Sequence, residues 1–160
     1  MNFSAKTEYG VRLMVELGRQ DGDRPTSLKA LAEAERLPLS YLEHVVADLK
    51  RAGLVAATRG AHGGYRLAKP ASEIDMAEIV QALEGTIAPM ECFTPEGTQR
   101  VTCSHALDHG RACATKLLWT RVQVGVIRAL QGTTLAELVE FAESHASQPQ
   151  TSPDAAPTAA

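Results

Sequence analysis

Two short amphipathic helices followed at once by a glycine-rich, basic hairpin leave few folds open to this chain. The second of these helices carries a single apolar stripe, formed by Leu39, Leu42, Val45, Val46 and Leu49. Two runs that read as strands, 54–58 and 65–68, follow directly and flank a turn with three glycines. Because a hairpin placed immediately after a helix-turn-helix forms a wing, the sequence predicts a winged helix-turn-helix.

The other periodic segments predict a mainly α-helical protein around this small β-hairpin. Apolar spacing predicts a first helix over 3–20 and a fourth helix near 73–84 that ends at Gly85. A long helix is predicted from about Arg111 to Gln131, and a short one follows it through Phe141. The long helix is apolar around so much of its circumference that we expect its own domain and a partner chain to cover it.

These segments divide the 160 residues into four parts. We expect a winged helix-turn-helix DNA-binding domain over 1–85 and a cysteine-bearing loop over 86–110. Residues 111–145 are expected to form the dimerisation helix and the C-terminal helix, and 146–160 a disordered tail. A loop of about 25 residues without periodicity is unusual in a small protein and is generally functional or disordered.

The charge is unevenly distributed although the net charge is only −3. Residues 1–70 hold eleven Lys and Arg against eight Asp and Glu, whereas residues 71–160 hold five against eleven. The segment 50–69 contains no acidic residue and five cations, namely Lys50, Arg51, Arg59, Arg66 and Lys69. Such a cluster is either a solvated basic surface or the binding surface for an anion such as DNA.

Several classes of protein are excluded by the same inspection. No apolar run approaches the 18 or so residues that span a bilayer, and the first residues lack the apolar core of a signal peptide. We therefore expect a soluble, cytoplasmic protein. No nucleophile–base pair, phosphate-binding loop or His-Glu-x-x-His motif is present, so an enzyme is not expected.

The three cysteines form the second candidate site. Cys92, Cys103 and Cys113 are separated by ten and nine residues, and all lie in the loop or at the start of the long helix. An odd, small number of cysteines in a reducing compartment argues against a disulfide framework and leaves metal ligation, redox function or incidental cysteines. Three thiolates do not complete a four-ligand site, so His105, His109, Glu8 or a partner chain are candidates for the fourth ligand.

Five segments of the chain carry a family resemblance, namely Thr7-Glu8-Tyr9-Gly10-Val11-Arg12, Leu39-Ser40-Tyr41-Leu42-Glu43, Ala52-Gly53-Leu54-Val55, Ala82-Leu83-Glu84-Gly85 and the wing Arg59-Gly60-Ala61-His62-Gly63-Gly64-Tyr65-Arg66-Leu67-Ala68. Through them the chain resembles the Rrf-two type family of winged-helix repressors, in particular its iron–sulfur cluster-binding branch. The resemblance runs from residue 1 to about 144, and the loop cysteines match the cluster-binding members in number and place.

The resemblance implies a cluster held by the three cysteines and a fourth ligand. In one branch that ligand is a histidine three residues past the last cysteine, but Lys116 stands there in this chain. Other members use a carboxylate from the first helix of the partner subunit, which makes Glu8 the preferred ligand here. Arg12, one turn further along that helix, is expected to hold this carboxylate. A [2Fe-2S] cluster is favoured over [4Fe-4S].

The resemblance also implies a homodimer that places two third helices in successive major grooves of an imperfectly palindromic operator. The expected contacts come from Ser40, Tyr41, Glu43, His44, Lys50, Arg51, Arg59 and Arg66. Glu43 is expected to read a base and Ser40 to bind a base edge or a phosphate, although Ser40-x-x-Glu43 is also a capping-box pattern that stabilises a helix start. Arg59 is suited to the minor groove, whereas Lys50, Arg51 and Arg66 are suited to phosphates.

The function expected from these features is a cluster-dependent transcriptional regulator, typically a repressor, that senses redox state, nitric oxide or cluster supply. Two other interpretations remain open. In the first, a cluster-free repressor uses the cysteines as a thiol switch that forms a disulfide under oxidation. In the second, the cysteines hold a structural zinc ion.

Overall fold

In the computed structural model of the chain, the residues described are 3–20, 24–60, 62–93 and 113–145. Within these ranges the chain forms six α-helices and one antiparallel hairpin. The helices are α1 Ala5–Arg19, α2 Leu28–Glu35, α3 Leu39–Arg51, α4 Met76–Glu84, α5 Ala114–Gln131 and α6 Leu135–His145, and the strands are β1 Val55–Thr58 and β2 Gly64–Leu67. The predicted mainly α fold with one small hairpin is confirmed.

The helix-turn-helix is built by α2 and α3. The Ser27 side chain caps α2 by accepting a hydrogen bond of 3.2 Å from the Ala30 NH. Arg36 ends α2 in the left-handed conformation with φ 54°, and the chain then passes through buried Leu37 into α3. In α3, Leu42, Val45, Val46 and Leu49 are buried as expected. Leu39 is 40% exposed, because it begins the helix at the edge of the core.

The hairpin has the register Val55↔Leu67, Ala56↔Arg66, Ala57↔Tyr65 and Thr58↔Gly64. Its turn requires glycine, since Gly60 has a φ of +113° and a Cβ on Gly63 would collide with the Thr58 carbonyl. The turn end of β2 is joined to the chain before α2, where Thr26 and Tyr65 exchange backbone hydrogen bonds of 2.9 and 2.8 Å. A Cβ on Gly64 would collide with the Thr26 backbone, so the two segments are in close contact.

Helix α1 lies at the centre of the fold and packs against α2, α3, α4 and α6. Its buried face carries Leu13, Met14 and Leu17. Gly10 allows the closest approach, because a Cβ there would collide with Leu83 of α4 and press on Val45 of α3.

Helix α4 begins at Met76, three residues later than the predicted start at 73. Asp75 forms a capping box with Glu78, so the helix cannot be extended backwards without losing that cap. The preceding residues, Ala71–Glu73, form a separate 3₁₀ turn. The predicted end at Gly85 is confirmed, with a φ of 78°.

Helix α5 is 18 residues long and has no buried residue. Leu117, Leu118 and Val124 are 60%, 55% and 39% exposed, respectively. The Gln123 side chain donates to the Ile87 carbonyl at 2.8 Å and ties one side of the helix to the domain. The expected apolar surface is therefore present on α5, and the described residues of the chain leave it uncovered.

Some predictions lie outside the described residues. They concern Cys103, His105, His109, most of the loop over 86–110, the first residues of the long helix and the tail over 146–160. No helix in the described ranges is both long and apolar enough to cross a lipid bilayer.

Candidate nucleic-acid interface and cysteine site

The face of α3 that is turned away from the core presents a row of exposed, mostly polar residues. Its members are all exposed, namely Ser40, Tyr41, Glu43, His44, Ala47 and Lys50. The burial of the opposite stripe on the core fixes the rotation of the helix, and therefore the direction of this row. A helix of this kind, with one face anchored and the other exposed, is suited to lie in a DNA major groove.

The capping-box interpretation of Ser40 and Glu43 is wrong. Pro38 occupies the cap position of α3, so Ser40 lies inside the first turn and has no orphan NH group three residues ahead to cap. Across the described residues, neither side chain makes a hydrogen bond or ion pair. Both are available for a ligand.

The basic residues differ in how they are held. Lys50 and Arg59 are exposed, Arg59 at the point where β1 leads into the hairpin turn. The Arg51 guanidinium lies 2.6 Å from the Asp48 carboxylate. Arg66 is half-buried in β2 and donates to the Leu67 carbonyl at 3.4 Å.

Lys69 does not extend this basic surface. Its ammonium lies 2.8 Å from both carboxylate oxygens of Glu78, which belongs to the next helix, α4. The absence of acids over 50–69 therefore overstated the local charge, because Asp48 and Glu78 come from outside that segment.

A polar junction that the sequence analysis missed connects α1 to α3 and α4. The Lys6 ammonium lies 2.5 Å from Asp48 of α3 and donates to the Leu83 carbonyl of α4 at 3.0 Å. Hydrogen bonding to Lys6, opposed by partial burial and assisted by Arg51, holds the pKa of Asp48 below its ordinary value. The i,i+3 spacing of Asp48 and Arg51 was the only sign of this junction in the sequence.

The same end of α1 is capped by α4. The Glu84 Oε1 accepts hydrogen bonds from the Ser4 NH at 2.7 Å, the Ser4 hydroxyl at 2.6 Å and the Thr7 hydroxyl at 2.5 Å. Partial burial alone would raise the pKa of Glu84, but these hydrogen bonds outweigh it and lower that pKa. The carboxylate also faces the positive end of the α1 dipole.

Glu8 lies on the exposed side of α1, and the expected pair with Arg12 is not formed. Arg12 instead binds Glu35 at the end of α2, with its Nε 2.9 Å from the carboxylate, and also donates to the Glu35 carbonyl. Tyr9, next to Glu8, meets Tyr41 of α3 edge to face with ring centroids 5.3 Å apart. Among the residues described, the Glu8 carboxylate has no partner.

Cys92 and Cys113 are both free and half-buried. Cys113 immediately precedes α5, and its Sγ lies 3.1 Å from the Thr115 hydroxyl. Hydrogen bonding by Thr115 and by the Lys116 NH lowers the pKa of the Cys113 thiol. The described ranges hold no group of three side chains able to bind a metal ion, but they contain only two of the three cysteines.

The relationships to known proteins agree with this architecture. Residues 3–141 match the Rrf2 family, whose members are described as iron-dependent transcriptional regulators. This is the family that the sequence motifs resemble. The regulator CymR of Bacillus subtilis is 36% identical over 143 residues, which cover 89% of this chain and 93% of CymR.

Solved structures of transcriptional regulators also resemble this chain in fold. CymR, described as the global cysteine regulator of B. subtilis, superposes with a TM-score of 0.71 at 35% identity, covering 88% of this chain and 98% of that one. IscR of T. potens superposes with a TM-score of 0.71 at 33% identity, covering 94% and 93%. The chain belongs to the Rrf2 family of winged-helix transcriptional regulators.

Proposed function

We propose that this regulator binds operator DNA as a homodimer and that its cysteine segment controls the binding through an iron–sulfur cluster. The observation that carries the DNA-binding part is the anchored rotation of α3, which exposes Ser40, Tyr41, Glu43 and His44 together beside the hairpin. An α-helix presented in this way fits the major groove, and the hairpin reaches the flanking backbone.

The side chains make three kinds of contact with the DNA. Ser40 and Glu43 read base edges, with Glu43 accepting from a cytosine amino group, and Tyr41 and His44 flank them. Arg59 enters the minor groove, where the negative potential attracts arginine. Lys50, Arg51 and Arg66 bind phosphates, which strengthens binding without reading sequence.

Dimerisation through α5 is supported by its uncovered apolar residues. Leu117 and Leu118 are each more than half exposed, and a second copy of the same helix provides a matching apolar surface. Two α3 helices related by twofold symmetry then fit an imperfect palindrome with half-sites about one helical turn apart.

Cys92, Cys103 and Cys113, with the partner subunit's Glu8, would hold the cluster, for which [2Fe-2S] is favoured. The donor chemistry fits, because the lowered pKa of Cys113 favours the thiolate form that binds iron, and the Glu8 carboxylate is exposed. When bound, such a cluster supplies a redox-active centre that is sensitive to oxidation, nitric oxide and the supply of clusters.

The residues beside Glu8 explain how ligation would reach the DNA-binding face. Tyr9 contacts Tyr41 of α3, and Arg12 contacts Glu35 of α2. A displacement of Glu8 on binding the partner subunit's cluster would therefore move α1 and, through these two contacts, both helices of the helix-turn-helix. The coupling corresponds to a difference in DNA affinity of about 1–3 kcal/mol between the two states.

A cluster-free thiol switch is the second candidate. It is supported by the free thiols of Cys92 and Cys113 and by the 36% identity to CymR, whose structure is described as that of a cysteine regulator. In this version, oxidation removes two electrons and two protons from a pair of thiols, and an oxidant such as a peroxide accepts them.

Anaerobic purification followed by iron, sulfide and visible-absorption measurements distinguishes the iron–sulfur cluster from the cluster-free thiol switch. A coloured protein that contains iron and acid-labile sulfide, and loses both in Cys103→Ala, supports the cluster. A colourless protein after reconstitution with iron and sulfide supports the thiol switch, and a disulfide between two of the cysteines in peroxide-treated protein then confirms it. Zinc bound without colour supports the structural-zinc interpretation instead.

A further inference from the structure

The Asp48 carboxylate lies between two cations at the C-terminal end of α3. The Lys6 ammonium is 2.5 Å from its Oδ2, and the Arg51 guanidinium is 2.6 Å from its Oδ1. The two cations differ in freedom, since the Arg51 side chain is 78% exposed and that of Lys6 is 31% exposed. Lys6 is held additionally by the Leu83 carbonyl at 3.0 Å.

A carboxylate at this place is unfavourable unless a cation compensates it. The C-terminal end of a helix carries a partial negative charge, and DNA phosphates would approach the same end of α3 through Lys50 and Arg51. The Lys6 ammonium, which belongs to α1, compensates the negative charge of the Asp48 carboxylate. Arg51 is then free to leave that carboxylate and to bind a DNA phosphate instead.

We propose that Lys6 is a positioning residue for DNA binding, which retains Asp48 when Arg51 moves from that carboxylate to a DNA phosphate. The inference rests on the phosphate contact of Arg51 in the proposed function. It adds a residue of α1, outside the DNA-binding face, to those that determine affinity.

Removing the Lys6 ammonium leaves Arg51 as the only cation paired with Asp48 among the residues that the structure describes. We expect Lys6→Met to weaken binding about two- to fivefold, as is typical of one exposed ion pair, and to reduce the salt dependence by about one phosphate contact. Asp48→Asn releases both cations and is expected to strengthen binding with a steeper salt dependence. The double variant contains no carboxylate to neutralise and is expected to bind at least as tightly as the unaltered protein.

The test is a fluorescence anisotropy titration of labelled double-stranded DNA of arbitrary sequence at several salt concentrations, with thermal unfolding of each variant. Lys29→Met is the matched control, because Lys29 is exposed on α2 and lies 3.9 Å from Glu33. The inference is overturned if Lys6→Met binds as the unaltered protein does, or if the double variant binds as weakly as Lys6→Met. It is also overturned if Asp48→Asn weakens binding, since the pair would then be purely structural.

Arg51→Ala separates failure of this inference from failure of the proposed phosphate contact. If Arg51→Ala binds DNA with unchanged affinity and salt dependence, the phosphate contact is wrong. If Arg51→Ala weakens binding while Lys6→Met does not, only the role of Lys6 is wrong.

Discussion

Arg12 of α1 is paired with Glu35 of α2, with 2.9 Å between Nε and the carboxylate, and not with Glu8 one turn before it. Glu35 is the last residue of α2, so this pair ties α1 to the turn between the two helices of the helix-turn-helix. The consequence for Glu8 is that its carboxylate has no cation to give up before it binds another ligand.

Glu8→Gln is predicted to lower the iron and sulfide content of the purified protein. The amide is a poor ligand for iron, whereas its size and its place on an exposed helix surface leave folding unaffected. Iron and sulfide assays after anaerobic reconstitution measure the effect, and DNA binding by the cluster-free protein is expected to be unchanged.

Glu33→Gln is the control, because Glu33 is an exposed helical glutamate on α2. A Glu8→Gln protein that retained its full cluster content and its full response to oxidation would exclude Glu8 as a ligand.

Glu43 and Lys50 are predicted to affect DNA binding in different ways. Glu43→Ala removes a base acceptor, so affinity for the operator falls by about 1–3 kcal/mol while affinity for unrelated DNA does not fall. Lys50→Met removes a phosphate contact and weakens binding to all sequences, with a salt slope smaller by about one. Titrations of operator and unrelated DNA distinguish them, and equal losses on both DNAs in Glu43→Ala would contradict base reading.

Leu118→Lys is predicted to separate the subunits. Burial of one leucine contributes about 1.5–3 kcal/mol, so its replacement on each copy of α5 raises the dimer dissociation constant more than about tenfold. Sedimentation velocity measures the assembly state. Phe141→Lys on α6 is the comparison, since Phe141 is 65% exposed and lies off α5, and loss of the dimer in that variant alone would move the interface to α6.

Glu84→Gln is predicted to destabilise the folded chain by about 1 kcal/mol at neutral pH, because a charged acceptor for Ser4 and Thr7 becomes neutral. The pKa of Glu84 is lowered on folding, so its stabilising contribution is complete above the ordinary glutamate pKa of about 4.3. That contribution is lost as the pH falls through the folded pKa.

Urea unfolding at a series of pH values measures this difference. The gap between Glu84→Gln and the unaltered protein should narrow below about pH 4.3. Glu140→Gln, at an exposed position on α6, should show no such gap. A gap that stayed constant down to low pH would assign the loss to the hydrogen-bonding character of the amide group and not to the lost charge.

The helices and the hairpin were predictable because each depends on local periodicity and on glycines at fixed places. The stripe of α3 and the glycine turn required no knowledge of distant residues. The start of α4 was also readable in principle, since Asp75 and Glu78 have capping-box spacing, but the apolar periodicity alone placed it too early.

The ion pairs were not predictable, because they join residues that the fold brings together from separate elements. Lys6 meets Asp48, Arg12 meets Glu35 and Lys69 meets Glu78. The chain offers each cation several acids, and only the packing of the folded elements selects one. For this reason the sequence predicted a pair between Glu8 and Arg12, whereas in the structure Arg12 pairs with Glu35.

The backbone exchange between Thr26 and Tyr65 restricts how this protein is able to respond to a signal. Because Gly64 lies against the Thr26 backbone, the hairpin cannot swing as a hinged arm without breaking two hydrogen bonds. These contacts favour a hairpin that moves together with the helix-turn-helix. In the proposed homodimer we therefore expect a signal to change the spacing and angle between two such units, which operators with different half-site distances would detect.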